Sequence, residues 1–284
     1  MWMIMPELIY FTKFEEGNEK RKEFTLKILD LFDDQIKGKV FIKPNLVSYE
    51  EYPTTTNPEI LETVITYLQD HGHEITCGDG QAVDVKASAV KNSTMKRICE
   101  KYGIEFLNLH KQPMKTFKSP RGFKIKMSVI PFQAESIISL PNLKSHRHME
   151  LRMTGALKMV VGYFTKFERI KMHMMIIKNR WKQIAEANWF LMKQEGAPTH
   201  LTIMDAVQPL ITANELRHGG KPVYAGYMFA GNCPTVLDVH GFNFLKQYEP
   251  RYADKTLDYV PYIKYAIEYG LGGPEYELKE IELD

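Results

Sequence analysis

The chain has 284 residues, of which 44% are hydrophobic and 25% are charged, and its formal net charge is +2. This composition is typical of a globular protein with a large core. The mild charge argues against nucleic acid as a partner, and no apolar run approaches the roughly 20 residues that span a bilayer. The short apolar start lacks the basic segment of a signal peptide, so we expect a cytoplasmic protein.

Familiar chemical signatures are missing from the sequence. The three cysteines, Cys77, Cys99 and Cys233, are far apart and form no C-x-x-C pair. We therefore expect neither a disulfide framework nor an iron–sulfur cluster held by this chain alone. There is also no Walker loop, no G-x-S-x-G elbow and no G-x-G-x-x-G turn after the first strand.

The first part of the chain alternates between strand and helix patterns. The strand patterns cover residues 7–11, 39–42, 73–77 and 104–107, and the helix patterns cover about 18–32, 58–71 and 87–102. Asn57 is a good N-cap for the middle helix, Pro58 suits its first position, and Gly72 follows its end. The alternation predicts an α/β fold with a mostly parallel, Rossmann-like open sheet and helices on both faces.

The pattern changes after residue 107. Residues 123–130 alternate apolar and polar side chains, which predicts a strand with one wet face at an antiparallel edge of the sheet. Further strands are predicted at 137–140, 201–204 and 222–230, and helices at 154–163, 176–193, 234–245 and 259–269, before an acidic tail. We expect one domain over residues 1–284, either undivided or with a small lobe formed by about 110–135 and 164–198.

Residues 137–162 are the most informative stretch of the chain. An apolar strand precedes Pro141, which removes a backbone donor and is expected to end the strand. Polar and cationic side chains follow at once: Lys144, His146, Arg147 and His148. A helix predicted from about Thr154 would offer its free N–H groups to an anion. This stretch is therefore interpreted as a ligand site and not as core.

Polar side chains also follow three other predicted strands. Lys43 and Asn45 follow the second strand, Asp79 follows the third, and Asp205 follows residues 201–204. Taken singly, each has a simpler explanation: a lysine at the rim, a turn-forming aspartate or a helix cap. Ligands bind beyond the carboxyl ends of parallel strands, so their coincidence with Lys144 predicts a shared polar crevice.

Thr154, Lys158 and Gly162 are four residues apart and would share one face of the predicted helix. Close helix packing is a sufficient explanation for the glycine. It does not explain Lys158, because burying an unpaired ammonium is costly. We therefore expect Lys158 to contact a ligand.

Three histidines are candidate metal ligands: His146, His148 and His173. Alternate residues of an extended segment point the same way, which favours the first two as a pair. No motif such as H-E-x-x-H supports a metal geometry, so proton transfer or anion binding by one of them is the favoured interpretation.

Several motifs occur in a fixed order along the chain. They are Lys43-Pro44-Asn45-Leu46, Thr56 with Pro58, His71-Gly72, Gly78-Asp79, residues 141–146, residues 154–158 with Gly162, His173, and Met204-Asp205-Ala206. In this order they resemble the prokaryotic family called domain of unknown function 362, over residues 39 to about 240. That family is similar in layout to the N-terminal domain of lactate racemase, which holds a nickel-pincer nucleotide and substrate.

The resemblance implies an α/β domain with a ligand site. Carried over by position, Lys43 and Asn45 belong to a ligand loop, and Lys144, His146 and Lys158 to a later polar region. The chain lacks the arginine-rich loop of lactate racemase and the four-cysteine segment of many family members. A redox role would therefore need a partner or another cofactor.

The leading hypothesis is an enzyme that binds a small carboxylate or phosphate substrate, or a phosphate-bearing cofactor, at the crevice. Proton transfer of the isomerase or transferase kind is favoured over hydrolysis. The assigned roles are anion neutralisation by Lys43, Lys144 and Lys158, orientation by Asn45 and Thr154, and proton transfer by His146 with Asp79 or Asp205 fixing its tautomer. A divalent metal is the alternative cofactor.

Two other function classes stay open. The first is a non-catalytic module that delivers a ligand or metal to a partner enzyme, which predicts exposed apolar surface around Trp181, Trp189 and Phe190. The second is a redox-partner subunit related to iron–sulfur proteins. A homo-oligomer and a complex with a partner enzyme are both compatible with the sequence.

Overall fold

The structure is a computed structural model and describes residues 7–147, 152–173 and 180–284. Its strands are β1 (Glu7–Lys13), β2 (Lys39–Pro44), β3 (Glu74–Asp79), β4 (Phe106–Asn108), β5 (Met114–Lys118), β6 (Lys124–Ser128), β7 (Ser136–Leu140), β8 (Asn142–Ser145), β9 (Met153–Thr154), β10 (Thr199–Ile211), β11 (Lys221–Pro222), β12 (Tyr227–Gly231) and β13 (Tyr276–Glu280). Its α-helices are α1 (Arg21–Leu31), α2 (Pro58–Asp70), α3 (Thr94–Lys101), α4 (Lys166–His173), α5 (Arg180–Lys193), α6 (Pro234–Leu245) and α7 (Pro261–Glu268).

A mixed sheet runs through the molecule in the order β13, β1, β12, β10, β7, β2, β3, β4. The strands from β10 to β4 are parallel to their neighbours, whereas β12 is antiparallel to both β1 and β10. The α/β fold and the mostly parallel sheet are therefore confirmed. The carboxyl ends of β2, β3 and β7 meet at one edge, as the right-handed alternation of strands and helices requires.

Helices cover both faces of this sheet, as predicted. Alternate residues of β2 face opposite sides, so Phe41 belongs to one core cluster and Ile42 to the other. One cluster is closed by α1, α2 and α3, and the other by α5, α6 and α7. The predicted N-cap is confirmed, because the Asn57 side chain accepts the Glu59 N–H at 2.9 Å. Within the described residues, no helix combines the length and apolar character needed to cross a membrane.

The strand with one wet face does not lie at the edge of the main sheet. It is β6, which pairs antiparallel with β5 in a separate two-stranded hairpin. The apolar face of the hairpin packs on α5, where the Phe117 and Phe190 rings lie 5.3 Å apart. The surface expected to be exposed around α5 is instead packed: Phe190 is 4% exposed, and Trp181 and Trp189 are partly buried against the same cluster.

For the stretch after residue 140, one prediction is confirmed and one is corrected. As expected, β7 ends at Leu140, directly before Pro141, although a further strand, β8, begins at Asn142 and the Pro141 carbonyl accepts the Asp205 N–H at 2.9 Å. Residues 154–163 do not form an α-helix. Thr154 instead belongs to the β8–β9 hairpin, and a 3₁₀ helix covers Leu157–Tyr163.

The other boundary corrections are smaller. Residues 87–102 form a 3₁₀ turn followed by α3, and residues 222–230 divide into β11 and β12. The acidic tail forms β13, which pairs parallel with β1. Backbone pairing with β1 explains this strand, which the charged side chains alone do not indicate.

Replacing a core residue of β7 tests this architecture. Ile138 is fully buried between β2 and β10, so Ile138→Ala leaves a cavity and should lower the free energy of unfolding by roughly 2–5 kcal/mol. Leu31→Ala is the matched control, because Leu31 is 45% exposed and its loss should cost less than about 1 kcal/mol. Urea denaturation measures both; equal effects would contradict the burial of β7.

Candidate functional site

A cleft of about 930 Å³ lies beyond the carboxyl ends of the parallel strands. Its walls come from the ends of β2 and β3, from β8, from the segment after β9, from α4 and from the turn around Glu215. A volume of this size accommodates a small-molecule ligand or cofactor. The predicted crevice therefore exists at the predicted edge of the sheet.

A buried ion pair joins the ends of β2 and β3. Lys43 Nζ donates to Asp79 Oδ1 at 2.7 Å and to the Pro44 carbonyl at 2.7 Å, and Lys43 is 1% exposed. Burial lowers the pKa of Lys43, and the carboxylate of Asp79 opposes that effect. The Asp79 oxygens also accept the N–H groups of Leu46 at 2.8 Å and Gly80 at 2.7 Å. Both members of the pair thus have further hydrogen bonds, which help to offset the cost of burying the two charges.

Gly162 lets the 3₁₀ segment approach this ion pair. A Cβ atom at Gly162 would overlap Asp79 Oδ1 and lie 3.0 Å from Lys43 Nζ. Only a residue without a side chain permits this contact. Close packing against the ends of β2 and β3 therefore explains the glycine at position 162.

Lys144 and Lys158 differ from Lys43 in their partners. Lys144 Nζ donates to the Thr54 carbonyl at 2.7 Å, and Lys158 Nζ donates to Thr154 Oγ1 at 3.2 Å. In the described part of the chain, neither ammonium forms an ion pair with a carboxylate. Burial lowers the pKa of each group to about 7, and Lys144 further lowers that of Lys158. Two lysine side chains thus share the cleft without an ion-pair partner among the described residues.

Arg169 of α4 is a cleft residue that sequence reasoning missed. Its Nη1 donates to the carbonyls of Gly80 and Gln81 at 2.6 Å, and the residue is 8% exposed. Its Nε has no partner among the described residues. Burial lowers its pKa. The charged sequence around Arg169 is indistinguishable from that of a solvated helix, so only the fold identifies it.

Asn45, Thr154 and His146 also line the cleft, as predicted. The backbone of Asn45 is held by Thr56, whose hydroxyl accepts the Asn45 N–H at 2.8 Å, while Asn45 Nδ2 has no partner within the described residues. His146 is 4% exposed, and its backbone N–H donates to the Arg152 carbonyl at 2.6 Å. These side chains add polar groups beside the two lysines.

Asp205 is not among the residues that line the cleft. Its carboxylate accepts from Arg21 Nε at 3.2 Å, from Tyr52 Oη at 3.1 Å and from the Val207 N–H at 2.9 Å. Because β10 continues through Asp205 to Ile211, the strand does not end where the sequence suggested. Asp205 connects α1 to the loop after β2.

The metal candidates are only partly described. His146 lines the cleft, His173 is the last residue of α4, and His148 lies outside the described residues. Among residues 7–147, 152–173 and 180–284, no three His, Cys, Asp or Glu side chains form a group that could hold a metal ion. The metal site therefore stays a prediction.

Three buried side chains hold the segment that carries Lys158. Asp238 accepts the N–H groups of Ala156 at 2.6 Å and Leu157 at 3.1 Å, and Asn188 Nδ2 donates to the Leu157 carbonyl at 2.8 Å. Tyr262 Oη donates to the Met153 carbonyl at 3.0 Å. Burial raises the pKa of Asp238 to about 7. These residues lie on apolar helices far along the chain, so local sequence patterns do not reveal their role.

Two cleft residues have strained backbones. Val47 and Arg152 adopt φ of 45° and 56°, and both line the cleft. The left-handed region is unfavourable for a β-branched residue such as Val47, whose carbonyl accepts the Ala82 N–H at 2.7 Å. Such strain is concentrated at functional sites. It supports the assignment of this cleft as the candidate site.

A comparison with protein families matches residues 40–243 to the family described as domain of unknown function (DUF362). The chain belongs to the DUF362 family. No match was found among curated proteins. In this family member, the motifs around Lys43, Asp79, Lys144 and Lys158 all meet at the cleft.

Two solved structures are distantly similar to the DUF362 chain. A protein from Thermotoga maritima is 16% identical with a TM-score of 0.46, and the match covers 90% of this chain and 61% of that one. The lactate racemase apoprotein from Thermoanaerobacterium thermosaccharolyticum is 12% identical with a TM-score of 0.48, and the match covers 85% and 57%. The chain thus spans about three fifths of the length of these proteins.

Adding a methyl group at Gly162 tests the ion pair. Gly162→Ala would force the 3₁₀ segment away from Asp79, so it should lower the free energy of unfolding by about 1–3 kcal/mol. Gly273→Ala is the control, because its Cβ would meet only the Glu275 nitrogen at 3.8 Å. Chemical denaturation compares the two variants. If Gly162→Ala leaves the free energy of unfolding unchanged, the 3₁₀ segment does not pack tightly against the ion pair.

The stability of this DUF362 protein should depend on pH above neutrality. Burial holds the pKa of Lys144 and Lys158 at about 7 in the folded state, whereas an unfolded lysine titrates near about 10.4. Between these values the unfolded state binds more protons, so the free energy of unfolding should rise from about pH 7 to about pH 9. Urea denaturation at several pH values measures this rise.

A substitution isolates the contribution of one lysine. Lys144→Met removes one of the two titrating groups and should make the rise shallower, whereas Lys22→Met on the exposed surface of α1 should leave it unchanged. An unaltered slope in Lys144→Met would contradict the lowered pKa of that side chain.

Proposed function

We propose that the protein is an enzyme that binds a small anionic ligand in the cleft and transfers a proton to or from it. The ligand is a carboxylate or a phosphate, carried by the substrate or by a cofactor. One observation supports this most strongly: the ammonium groups of Lys144 and Lys158 enter the cleft with only neutral oxygen partners among the described residues.

The balance of charge in the cleft favours an anion. Asp79 neutralises Lys43, and the Glu215 carboxylate accepts from Arg217 Nε at 2.7 Å. Lys144 and Lys158 have no such partner in the described residues, so their charges repel in a site of reduced dielectric. An anion between them would offset the repulsion and raise the pKa of both ammonium groups. The lysines are thus arranged for a ligand that brings negative charge.

Further hydrogen-bond donors would orient the anion. Asn45 Nδ2 and Arg169 Nε are buried donors without partners in the described residues, and the Thr154 hydroxyl lies beside Lys158. Donors of this kind bind carboxylate and phosphate oxygens with directional hydrogen bonds.

Proton transfer is assigned to His146, with the lysines as further acid or base groups. A general acid or base acts best when its pKa lies near the working pH, and the pKa of Lys144 and Lys158 meets this condition at about 7. The Asp79 oxygens bind Lys43, Leu46 and Gly80, so Asp79 positions the lysine. An isomerase or transferase reaction fits this set of groups better than hydrolysis.

Thermal unfolding with a panel of anions tests the binding step. The panel is inorganic phosphate, diphosphate, adenosine triphosphate, pyruvate, lactate and 2-oxoglutarate. At 100 times its Kd, a binding anion should stabilise the wild type by ~2.7 kcal/mol. Lys144→Met and Lys158→Met should each lose most of that shift, and Lys22→Met should keep it. A wild type that gains no stability from any anion contradicts the proposal.

A second measurement separates an enzyme from a binding module. Each stabilising ligand is incubated with the protein in deuterium oxide, and its carbon-bound hydrogens are followed by nuclear magnetic resonance. An enzyme of the proposed type should exchange a hydrogen of the ligand, and His146→Gln should slow the exchange. Binding without exchange across the panel would favour the module that delivers a ligand to a partner.

A further inference from the structure

We propose that Lys158 is a nucleophile that forms an imine with the carbonyl group of a 2-oxo acid bound in the cleft. This inference rests on the proposed anion site and names its substrate class. A 2-oxo acid carries an anionic carboxylate next to an electrophilic carbonyl. The cleft presents a cation and a reachable amine to match these two groups.

Lys158 is the most accessible of the three lysines of the cleft. Lys43 and Lys144 are each 1% exposed, and their ammonium groups donate to the carbonyls of Pro44 and Thr54 at 2.7 Å. Lys158 is partly exposed to the cleft, and its hydrogen bond to Thr154 Oγ1 is longer, at 3.2 Å. A nucleophilic amine needs both access and a weakly held proton, and Lys158 has both.

The β8–β9 hairpin brings a second cation close to Lys158. Lys144 and Thr154 are directly opposed in the antiparallel pairing, and opposed residues have Cβ atoms only about 5 Å apart. The hydroxyl oxygen of the same Thr154 accepts a hydrogen bond from the Lys158 ammonium. Lys144 is therefore placed to hold the carboxylate of a ligand whose carbonyl faces Lys158.

The charges around Lys158 favour its neutral form. Burial is the main cause that lowers its pKa to about 7, Lys144 and Arg169 lower it further, and Glu215 opposes them. A neighbouring cation activates a lysine amine in this way because it destabilises the protonated state. A substantial fraction of Lys158 is thus unprotonated at neutral pH, when an exposed lysine is almost fully charged.

The amine is also held on a rigid support. Asp238 binds the N–H groups of Ala156 and Leu157, and Asn188 binds the Leu157 carbonyl, so the backbone directly before Lys158 is fixed. Asn188 and Asp238 come from α5 and α6 of the core. Positioning of this kind lowers the entropic barrier to attack on a bound carbonyl.

The reaction is a condensation without oxidation or reduction. The Nζ lone pair of Lys158 attacks the carbonyl carbon, and a proton passes from nitrogen to oxygen to give a carbinolamine. The hydroxyl then leaves with a proton as water, and a carbon–nitrogen double bond remains. The imine makes the adjacent carbon–hydrogen bond more acidic, which provides a substrate for proton transfer by His146.

Reductive trapping tests the imine. The wild type is incubated with pyruvate, 2-oxobutyrate or 2-oxoglutarate and sodium cyanoborohydride, and its mass is measured before and after digestion. With at least one of the three acids, we expect one stable adduct at Lys158. The adduct should increase the mass of the protein by the mass of the acid less one oxygen atom. Lys158→Arg should form no adduct, whereas Lys22→Met should react like the wild type.

The pH profile reports the role of Lys144. Adduct formation by the wild type should increase with pH and reach half its maximum near the pKa of Lys158, at about 7. Lys144→Met removes a neighbouring positive charge, so the midpoint should move to higher pH whatever the amplitude. A midpoint that stays in place would overturn the activating role of Lys144.

Thermal unfolding in the same samples separates the two proposals. Stabilisation by the oxo acids without an adduct would overturn the imine and leave the anion site standing. Neither stabilisation nor adduct with the oxo acids, while phosphate still binds, would overturn the substrate class. An adduct that maps to Lys144 or is spread over surface lysines would overturn the assignment to Lys158.

Discussion

The buried ion pair between Lys43 and Asp79 is the interaction on which the rest of the site depends. It joins the ends of two adjacent parallel strands, and its carboxylate also binds the N–H groups that start both following loops. The 3₁₀ segment can lie against this pair only because Gly162 has no side chain. One carboxylate thus joins the ends of β2 and β3 and lies against the segment that carries Lys158. A pair of buried charges needs further hydrogen bonds to offset its desolvation, and backbone groups supply them here.

The three lysines of the cleft differ in their hydrogen-bond partners, and this difference separates a structural lysine from two candidate ligand contacts. Lys43 has a carboxylate partner and serves the structure, whereas Lys144 and Lys158 have neutral partners in the described residues. Their burial opposes charge, so the unliganded protein carries a destabilising cluster at neutral pH. Stability and function conflict at a site of this kind, and the conflict supports the proposed binding of an anion there.

The sequence predicts where the site lies better than it predicts which residues line the site. Parallel strands end at one edge, so Lys43, Asp79 and Lys144 could be grouped from the alternation of strands and helices alone. The sequence also groups Asp205 with them, but Asp205 does not line the cleft, because β8 pairs with β10 after Pro141 and β10 continues to Ile211. Arg169 and Asp238 act across contacts that link residues 80 or more positions apart, and no local pattern encodes such pairs.

Lys43 and Lys158 are held in the cleft by different parts of the fold. The sheet holds Lys43 through its backbone ladder, which fixes the strand end but leaves the long side chain to find its own partner. Lys158 follows an irregular segment that no ladder supports, and its backbone is held instead by side chains of α5 and α6. A 3₁₀ helix is a weak element by itself, so a fixed amine at this position requires those buried polar contacts. The Asp238 carboxylate binds two N–H groups and has no cationic partner among the described residues, so it is best explained as the support of Lys158.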